Sequence, residues 1–446
     1  MELDRRTFLM VSGGAAASFA LGLSSRAQDS VCRSDLPFVI TVQASGAWDP
    51  TFLMDPVTDS ADFTPFVASQ IRTVGEIRYA PFFDANTGAV APYLVGDDQQ
   101  DFFVKHGHRI VVFNGVNNRT VSHDIGPRIA FTGSTRDGQP TFSGLVAGLQ
   151  GAEMPLAMFV SSGFASTGGL VPVTRGGSLD LLRGVADPNR DSIHTDSVNE
   201  LLREATQARD ARLLAGSSLP RPRQAYEKIR EARNGALQRR FEEIADVLDG
   251  ARSGRRRGLE NTAAGVLALM SSGATAGAHL SLGGFDTHDG HDDEHPGALQ
   301  NLLSGLDFII EAVSADATLS SRGVLIVVAS DFGRTRYNGG GGKDHWPITS
   351  MMAIGVGAAE SVIGGARVIG ATTPTGGNGV EALPVKISGG QTIVAEAGDP
   401  DAFELTAGHV HHALRNAIGL CDTGAPDDPL RRFALNVLPN EPLPLG

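Results

Sequence analysis

GVLIVVASDFGR, residues 323–334, carries six unbroken apolar residues, four of them β-branched, and then stops on Ser330 and Asp331. A short run of this kind reads as a strand buried on both faces, as strands of parallel sheets are. Gly333 permits a sharp exit from it. Asp331 is not core filler, because an unpaired buried carboxylate is costly. Two other runs end the same way. FVITVQASGAWD (38–49) closes on Asp49, and HLSLGGFDTHDGH (279–291) delivers Asp286, His288 and His291 just past its apolar part. In open α/β sheets ligands bind beyond the carboxyl ends of the strands. Carboxylates and imidazoles gathered there have the donor chemistry of a divalent-metal site.

Further strands are expected at 37–43, 109–116, 154–161, 278–283, 323–330 and 351–356, with helices at 299–313 and 409–420. Between 178 and 269 the pattern changes to helical spacing, with Leu237, Phe241, Ile244 and Leu248 on one face and arginine and glutamate on the others. This predicts a helical insertion, two antiparallel helices joined around residues 217–220. The fold class is therefore α/β, a three-layer α/β/α domain on a mostly parallel sheet.

Composition fits a soluble globular protein, with 41% hydrophobic and 20% charged residues. The 55 glycines among 446 residues exceed the usual share of about 7% and point to many tight turns and close approaches. The amino terminus reads as an address: Arg5-Arg6 precedes an apolar segment to about Leu23, and Ser25-Arg26-Ala27 offers a cleavage site. In outline this is a twin-arginine export signal over residues 1–27, with the folded domain at 28–446. It implies the twin-arginine translocase as a partner and a periplasmic or secreted destination. No later segment reads as transmembrane. The net charge is −13, and removing two acids and three arginines with the signal leaves −14, which argues against nucleic acid as a partner. Cys32 and Cys421 either pair in an oxidising compartment or remain thiols. Arg255-Arg256-Arg257 reads as a solvated flank.

The site candidates follow from the strand ends. Asp49, Asp286, His288, His291, Asp331 and His345 are the expected metal ligands. Asp292, Asp293 and Glu294 suit a helix amino terminus instead. GGGGKDHW (339–346) presents Lys343, Asp344 and His345 on a glycine-rich loop, with Asp344 placed to orient His345. Lys343 and Arg334 would offset charge on an anionic group. Arg334 reads equally as a structural ion-pair partner. Ser122 or Thr120, after the 109–116 strand and before a helix, is the candidate nucleophile, with a simple helix cap as the competing reading of Ser122. His123 is a ligand or a substrate contact. His409, His411 and His412 are expected at a helix cap with exposed imidazoles.

FDTH (285–288), SDFGR (330–334), DH (344–345) and SH (122–123), behind a twin-arginine signal, resemble a bacterial exported family known as domain of unknown function 1501. That family looks like a branch of the alkaline phosphatase and sulfatase superfamily. The resemblance implies an alkaline-phosphatase-like fold and an exported metal-dependent hydrolase of a phosphate or sulfate ester, a small anionic substrate. It implies zinc foremost, with calcium and manganese as alternatives. By that resemblance Asp49 is the first-strand ligand, Ser122 the nucleophile, Asp286 with His288 or His291 the Asp/His pair, Asp331 the later aspartate and His345 the last histidine. Phe332 stands where many relatives carry a ligating histidine, and no cysteine accompanies Ser122. The absent cysteine argues against a classical sulfatase, and Phe332 with the loose match around Ser122 favours the alternative, a non-catalytic exported binding or assembly protein on the same fold.

Overall fold

The computed structural model describes residues 35–151, 154, 156–176, 194–216, 220, 223–224, 226–227, 258–420, 428–435 and 437–445. The expected export signal, both cysteines, the arginine run at 255–257 and most of the expected helical insertion lie outside these. Ten strands carry the functional argument: β1 (Phe38–Ala44), β2 (Ile110–Asn117), β3 (Met158–Val160), β4 (Val173–Arg175), β5 (Gly277–Leu282), β6 (Val324–Ser330), β7 (Gly333–Tyr337), β8 (Lys343–Trp346), β9 (Ile348–Val356) and β10 (Arg367–Ile369). The six helices that matter are α1 (Gly126–Thr132), α2 (Phe142–Gln150), α3 (Asp196–Gly216), α4 (Leu259–Ser271), α5 (His291–Ala315) and α6 (Ala407–Ala417).

Eight strands form one sheet in the order β4-β3-β5-β1-β6-β9-β2-β10. All neighbours are parallel except β9, which runs antiparallel to both β6 and β2. The sheet is thus mixed but mostly parallel, as the apolar runs imply. Side chains alternate between its faces. Ile40, Val42, Ile326 and Val328 pack with α4 and α5, whereas Val39, Leu325 and Val327 pack with α1, α2 and α6. These two cores make the three layers.

Two elements differ from expectation. The helix expected at 299–313 extends back to His291 as α5, with Asp292, Asp293 and Glu294 in its first turn, where they favour the dipole as their sequence suggests, and Pro296 accommodated near the start. β9 is antiparallel, which a continuous apolar run cannot reveal, since direction leaves no mark on composition. Its reversal has a consequence: residues just before β9 arrive at the same edge as residues just after β1, β2, β5 and β6. Among the described residues, no helix is long and apolar enough to cross a membrane.

The histidines at 409–412 are not exposed caps. His409 and His411 are buried; His409 takes part in the capping hydrogen bonds of α6 with Thr406, and His411 Nε2 donates to the Ala130 carbonyl at 2.8 Å. Burial pulls His411 down to about 4, as it does His291, and pulls His279 down to about 3. A folded-state value below the unfolded value near 6.5 means the unfolded chain binds the proton first, so stability falls as pH drops from about 6.5 towards 4. Asp55, raised by burial to about 6, acts in the opposite sense as pH falls from 6 to 4. Three such histidines outweigh one carboxyl, and His295, which burial also holds well below its usual value, adds to them, so stability falls across that window. Thermal unfolding followed from pH 7 to pH 5 is therefore expected to show a marked fall in midpoint. A midpoint that holds or rises would contradict the buried neutral state of these rings.

A candidate metal centre at the sheet edge

Four loops meet beyond the β1, β2, β5 and β6 carboxyl ends, joined by the β7–β8 hairpin that leads into β9. Asp286 stands at the centre, in the loop after β5. Its Oδ1 lies 3.1 Å from His288 Nε2 and 3.3 Å from His345 Nε2, and the two imidazole nitrogens are 3.0 Å apart. Its Oδ2 faces His123 Nε2 at 3.6 Å. The ligand atoms of His123, Asp286 and His345 all fall within 4.8 Å of one another.

Each ring is held from behind through Nδ1. His123 Nδ1 is 2.7 Å from Asp331 Oδ2, His288 Nδ1 is 3.1 Å from Asp344 Oδ1, and His345 Nδ1 is 3.2 Å from the Val121 carbonyl. Carboxylates and carbonyls only accept, so each neutral ring carries its proton on Nδ1 and turns the Nε2 lone pair towards Asp286. Three imidazole acceptors thus converge on a carboxylate to which none of them donates, Arg334 being its donor from outside the cluster. A proton would relieve one pair of them; a divalent ion relieves all. The three separations among Asp286 Oδ1, His288 Nε2 and His345 Nε2, 3.0–3.3 Å, match tetrahedron edges of roughly 3.3 Å for metal–ligand bonds of about 2.0–2.1 Å, while His123 stands 3.6 Å away on the other carboxylate oxygen. The residues fit a metal, and the backing acceptors are those that orient metal-bound imidazoles.

Arg334 ties the loops together. It is buried, and its guanidinium donates to the carbonyls of Ala47 (2.8 Å), Lys343 (2.9 Å), Phe285 (2.7 Å) and Gly46, and to Asp286 Oδ1 at 2.7 Å. Burial would raise the Asp286 carboxyl, but the hydrogen bond and the charge of Arg334 hold it below the usual carboxylate range. Burial, with Arg334, His123 and His288 nearby, lowers His345, which keeps it neutral and able to ligate. Gly46 has φ near +110°, and a Cβ there would stand 2.6 Å from the Asp286 nitrogen, so only glycine lets the β1 loop lie on the β5 loop.

The sequence expectations divide here. Asp286, His288 and His345 come together as expected, and His123 joins them. Asp331 is a backing residue: it is 2% exposed and receives His123, Gln43 Nε2 (2.7 Å) and the Gly46 N–H (3.2 Å). Asp344 orients His288 rather than His345. Asp49 and His291 lie in a separate, fully buried network. Asp49 pairs with Lys343, accepts from Thr51 N (2.9 Å) and Thr51 Oγ1 (2.7 Å), and has His291 Nε2 at 3.2 Å. Burial favours the neutral acid, but Lys343 and His291 hold Asp49 well below the carboxylate range. Lys343 and Arg334, expected beside an anionic group, are instead buried and paired inside the protein. Phe332 is buried with its ring centre 4.8 Å from that of His123 and 4.5 Å from that of His345, filling the space beside both. Ser122 is not a side-chain cap. Its carbonyl accepts from Ile125 N and Gly126 N, and its hydroxyl has no hydrogen-bond partner among the described residues. A second group, His106, Asp307 and Glu311, already has Lys105 Nζ 2.9 Å from Asp307 and 3.2 Å from Glu311.

Gln43 and His279, the supports behind Asp331, were missed. Their signal is visible in hindsight: Thr41 and Gln43 are polar residues at period two inside an otherwise apolar buried strand.

Fold and site together define an α/β protein with a histidine- and aspartate-lined centre on the edge of a mostly parallel sheet. The chain belongs to the family described as protein of unknown function (DUF1501), whose model matches residues 38–388. No curated protein matches it. Two solved structures are similar over 90% of this chain and 74% of theirs: "Crystal structure of Ps i-CgsB", at 10% identity and a TM-score of 0.36, and the same protein "in complex with k-i-k-neocarrahexaose", at 9% and 0.34.

Proposed function

We propose that this protein is an exported, metal-dependent hydrolase of a phosphate or sulfate ester, built on an alkaline-phosphatase-like domain with a twin-arginine signal. The observation that carries the metal is the convergence of three imidazole Nε2 atoms on Asp286, each ring backed by an acceptor. His123, Asp286, His288 and His345 would hold the ion. Three imidazoles and one carboxylate suit zinc better than calcium, which prefers oxygen donors. When bound, such an ion supplies Lewis acidity to an ester oxygen and lowers the pKa of an adjacent hydroxyl or water. Asp286 and the histidines are partly exposed, so an ester can approach from solvent. With Lys343 and Arg334 engaged internally, charge on an anionic substrate would be met at the metal alone. The ester class rests on the family resemblance.

The uncommitted Ser122 hydroxyl and the Phe332 ring beside the histidines favour a second reading, a binding protein that keeps its metal without turnover. Elemental mass spectrometry of the mature protein, prepared with zinc, manganese and calcium available, is expected to return about one metal per chain; none would sink the hydrolase reading. Given metal, phosphate and sulfate esters are then screened with wild type and Ser122→Ala. Turnover lost only in the variant assigns the nucleophile to Ser122. Turnover kept in both assigns water. No turnover in either favours the binding protein.

A further inference from the structure

Behind the metal centre, a line of buried polar side chains crosses the sheet. Ser143 Oγ, on α2, is 2.9 Å from Thr41 Oγ1; Thr41 Oγ1 is 2.9 Å from His279 Nδ1; His279 Nε2 is 3.4 Å from Gln43 Oε1; Gln43 Nε2 is 2.7 Å from Asp331 Oδ1. All five residues are at most 3% exposed. Polar groups this deep are costly unless satisfied. Asp331 in turn receives the Nδ1–H of the candidate ligand His123.

Only one set of donors satisfies the line. The Asp331 carboxylate accepts, so Gln43 must present its NH₂ to it and its Oε1 to His279. His279 then carries its proton on Nε2 and needs a donor at Nδ1. Thr41 has one hydroxyl proton, which the Ala278 carbonyl at 3.1 Å would also take. Given to Ala278, it leaves His279 in the wrong tautomer and frees the Gln43 amide to flip, setting Oε1 against the Asp331 carboxylate. Given to His279, it locks every link. Burial supports this by holding His279 at about 3, so the ring stays neutral.

We infer that Thr41, His279 and Gln43 form a positioning relay whose fixed polarity holds Asp331 as acceptor for His123 Nδ1–H and so sets the affinity of the metal centre. The inference rests on the metal reading above. None of the three touches the proposed ion. The arrangement extends the backing shell from one residue to four, where removal of a backing partner typically weakens metal binding by about 10- to 100-fold.

Thr41→Val keeps the shape and removes the hydroxyl, and Thr41→Ser keeps the hydroxyl. Zinc titration of the metal-free mature protein is expected to show Thr41→Val binding several-fold more weakly, Thr41→Ser close to wild type, and Gln43→Met about 10- to 100-fold weaker. Thr41→Val should also melt below Thr41→Ser, because it leaves His279 Nδ1 without a donor, so the titrations are compared at a temperature where both metal-free variants are fully folded, which separates positioning from general damage. Imidazole ¹⁵N shifts of the metal-free protein, with His123 assigned through His123→Gln, should show the Nδ1–H tautomer in wild type and a mixture in Thr41→Val. Wild-type affinity and an unchanged tautomer in Thr41→Val would overturn the relay and leave the metal site standing. Equal weakening in Val and Ser variants would overturn it too. A wild type that binds no metal sinks the metal reading and the affinity claim with it, while the tautomer still decides whether the hydrogen-bond line has the stated polarity.

Discussion

Lys343→Met is expected to lower the free energy of unfolding by about 3–5 kcal/mol at pH 8, measured by denaturant titration. Asp49 and Lys343 are both fully buried and face each other. Removing the ammonium leaves a carboxylate with the Thr51 donors and no counter-charge. Methionine fills a similar volume, so little of the loss is cavity. The deficit should narrow as pH falls towards 6. His291 Nε2 stands 3.2 Å from Asp49 Oδ2 and, besides burial, is held neutral partly by the Lys343 charge. Without Lys343 its pKa rises, and protonated His291 can replace the missing cation. Adding Asp49→Asn should recover most of the loss, since replacing both partners of a buried pair is far cheaper than orphaning one. A single variant as stable as wild type at pH 8 would show that the pair is not ionised.

That buried pair also marks where sequence reading stops. The apolar runs at 38–44, 277–282 and 324–330 become adjacent parallel strands, and the residues that follow them line one edge, because hydrophobic continuity and chain direction suffice to place a strand end. Which end-residue faces solvent is another matter. Asp49 lies five residues beyond β1, far enough for the chain to fold back under the hairpin and meet Lys343. Asp331 follows β6 at once and stays buried. Asp286, four residues past β5, reaches the surface. Loop geometry makes these distinctions, and one Asp looks like another in composition. His123 was legible as a ligand or a substrate contact but without its partners, because the β9 reversal brings His345 beside it, while Phe332 reaches the same edge just past β6. Arg334 read equally as a substrate contact and as a structural ion-pair partner, because a buried arginine with four carbonyl partners has no local sequence signature; it pairs with Asp286.

The sharpest consequence is an order of metal affinities. Asp286→Ala removes the one carboxylate that contacts His288, His345 and His123 together, and should reduce metal from about one per chain to background, an affinity loss beyond about 100-fold. Arg334 loses one of its acceptors but keeps four carbonyls, so the loops should hold and the variant should fold. Asp331→Ala removes no cluster residue but takes away the partner of His123 Nδ1, together with the acceptor of Gln43 and Gly46, which predicts an intermediate loss of about 10- to 100-fold. The double variant Lys343→Met/Asp49→Asn deletes the first-strand carboxyl without orphaning a charge. Since Asp49 shares no partner with the cluster ligands, its metal affinity should stay within about threefold of wild type. Metal content after dialysis against a graded chelator ranks the four proteins in one experiment. If the double variant loses its metal as fully as Asp286→Ala, Asp49 belongs to the ligand set, and the ion sits among the buried side chains around Lys343 instead of at the surface cluster.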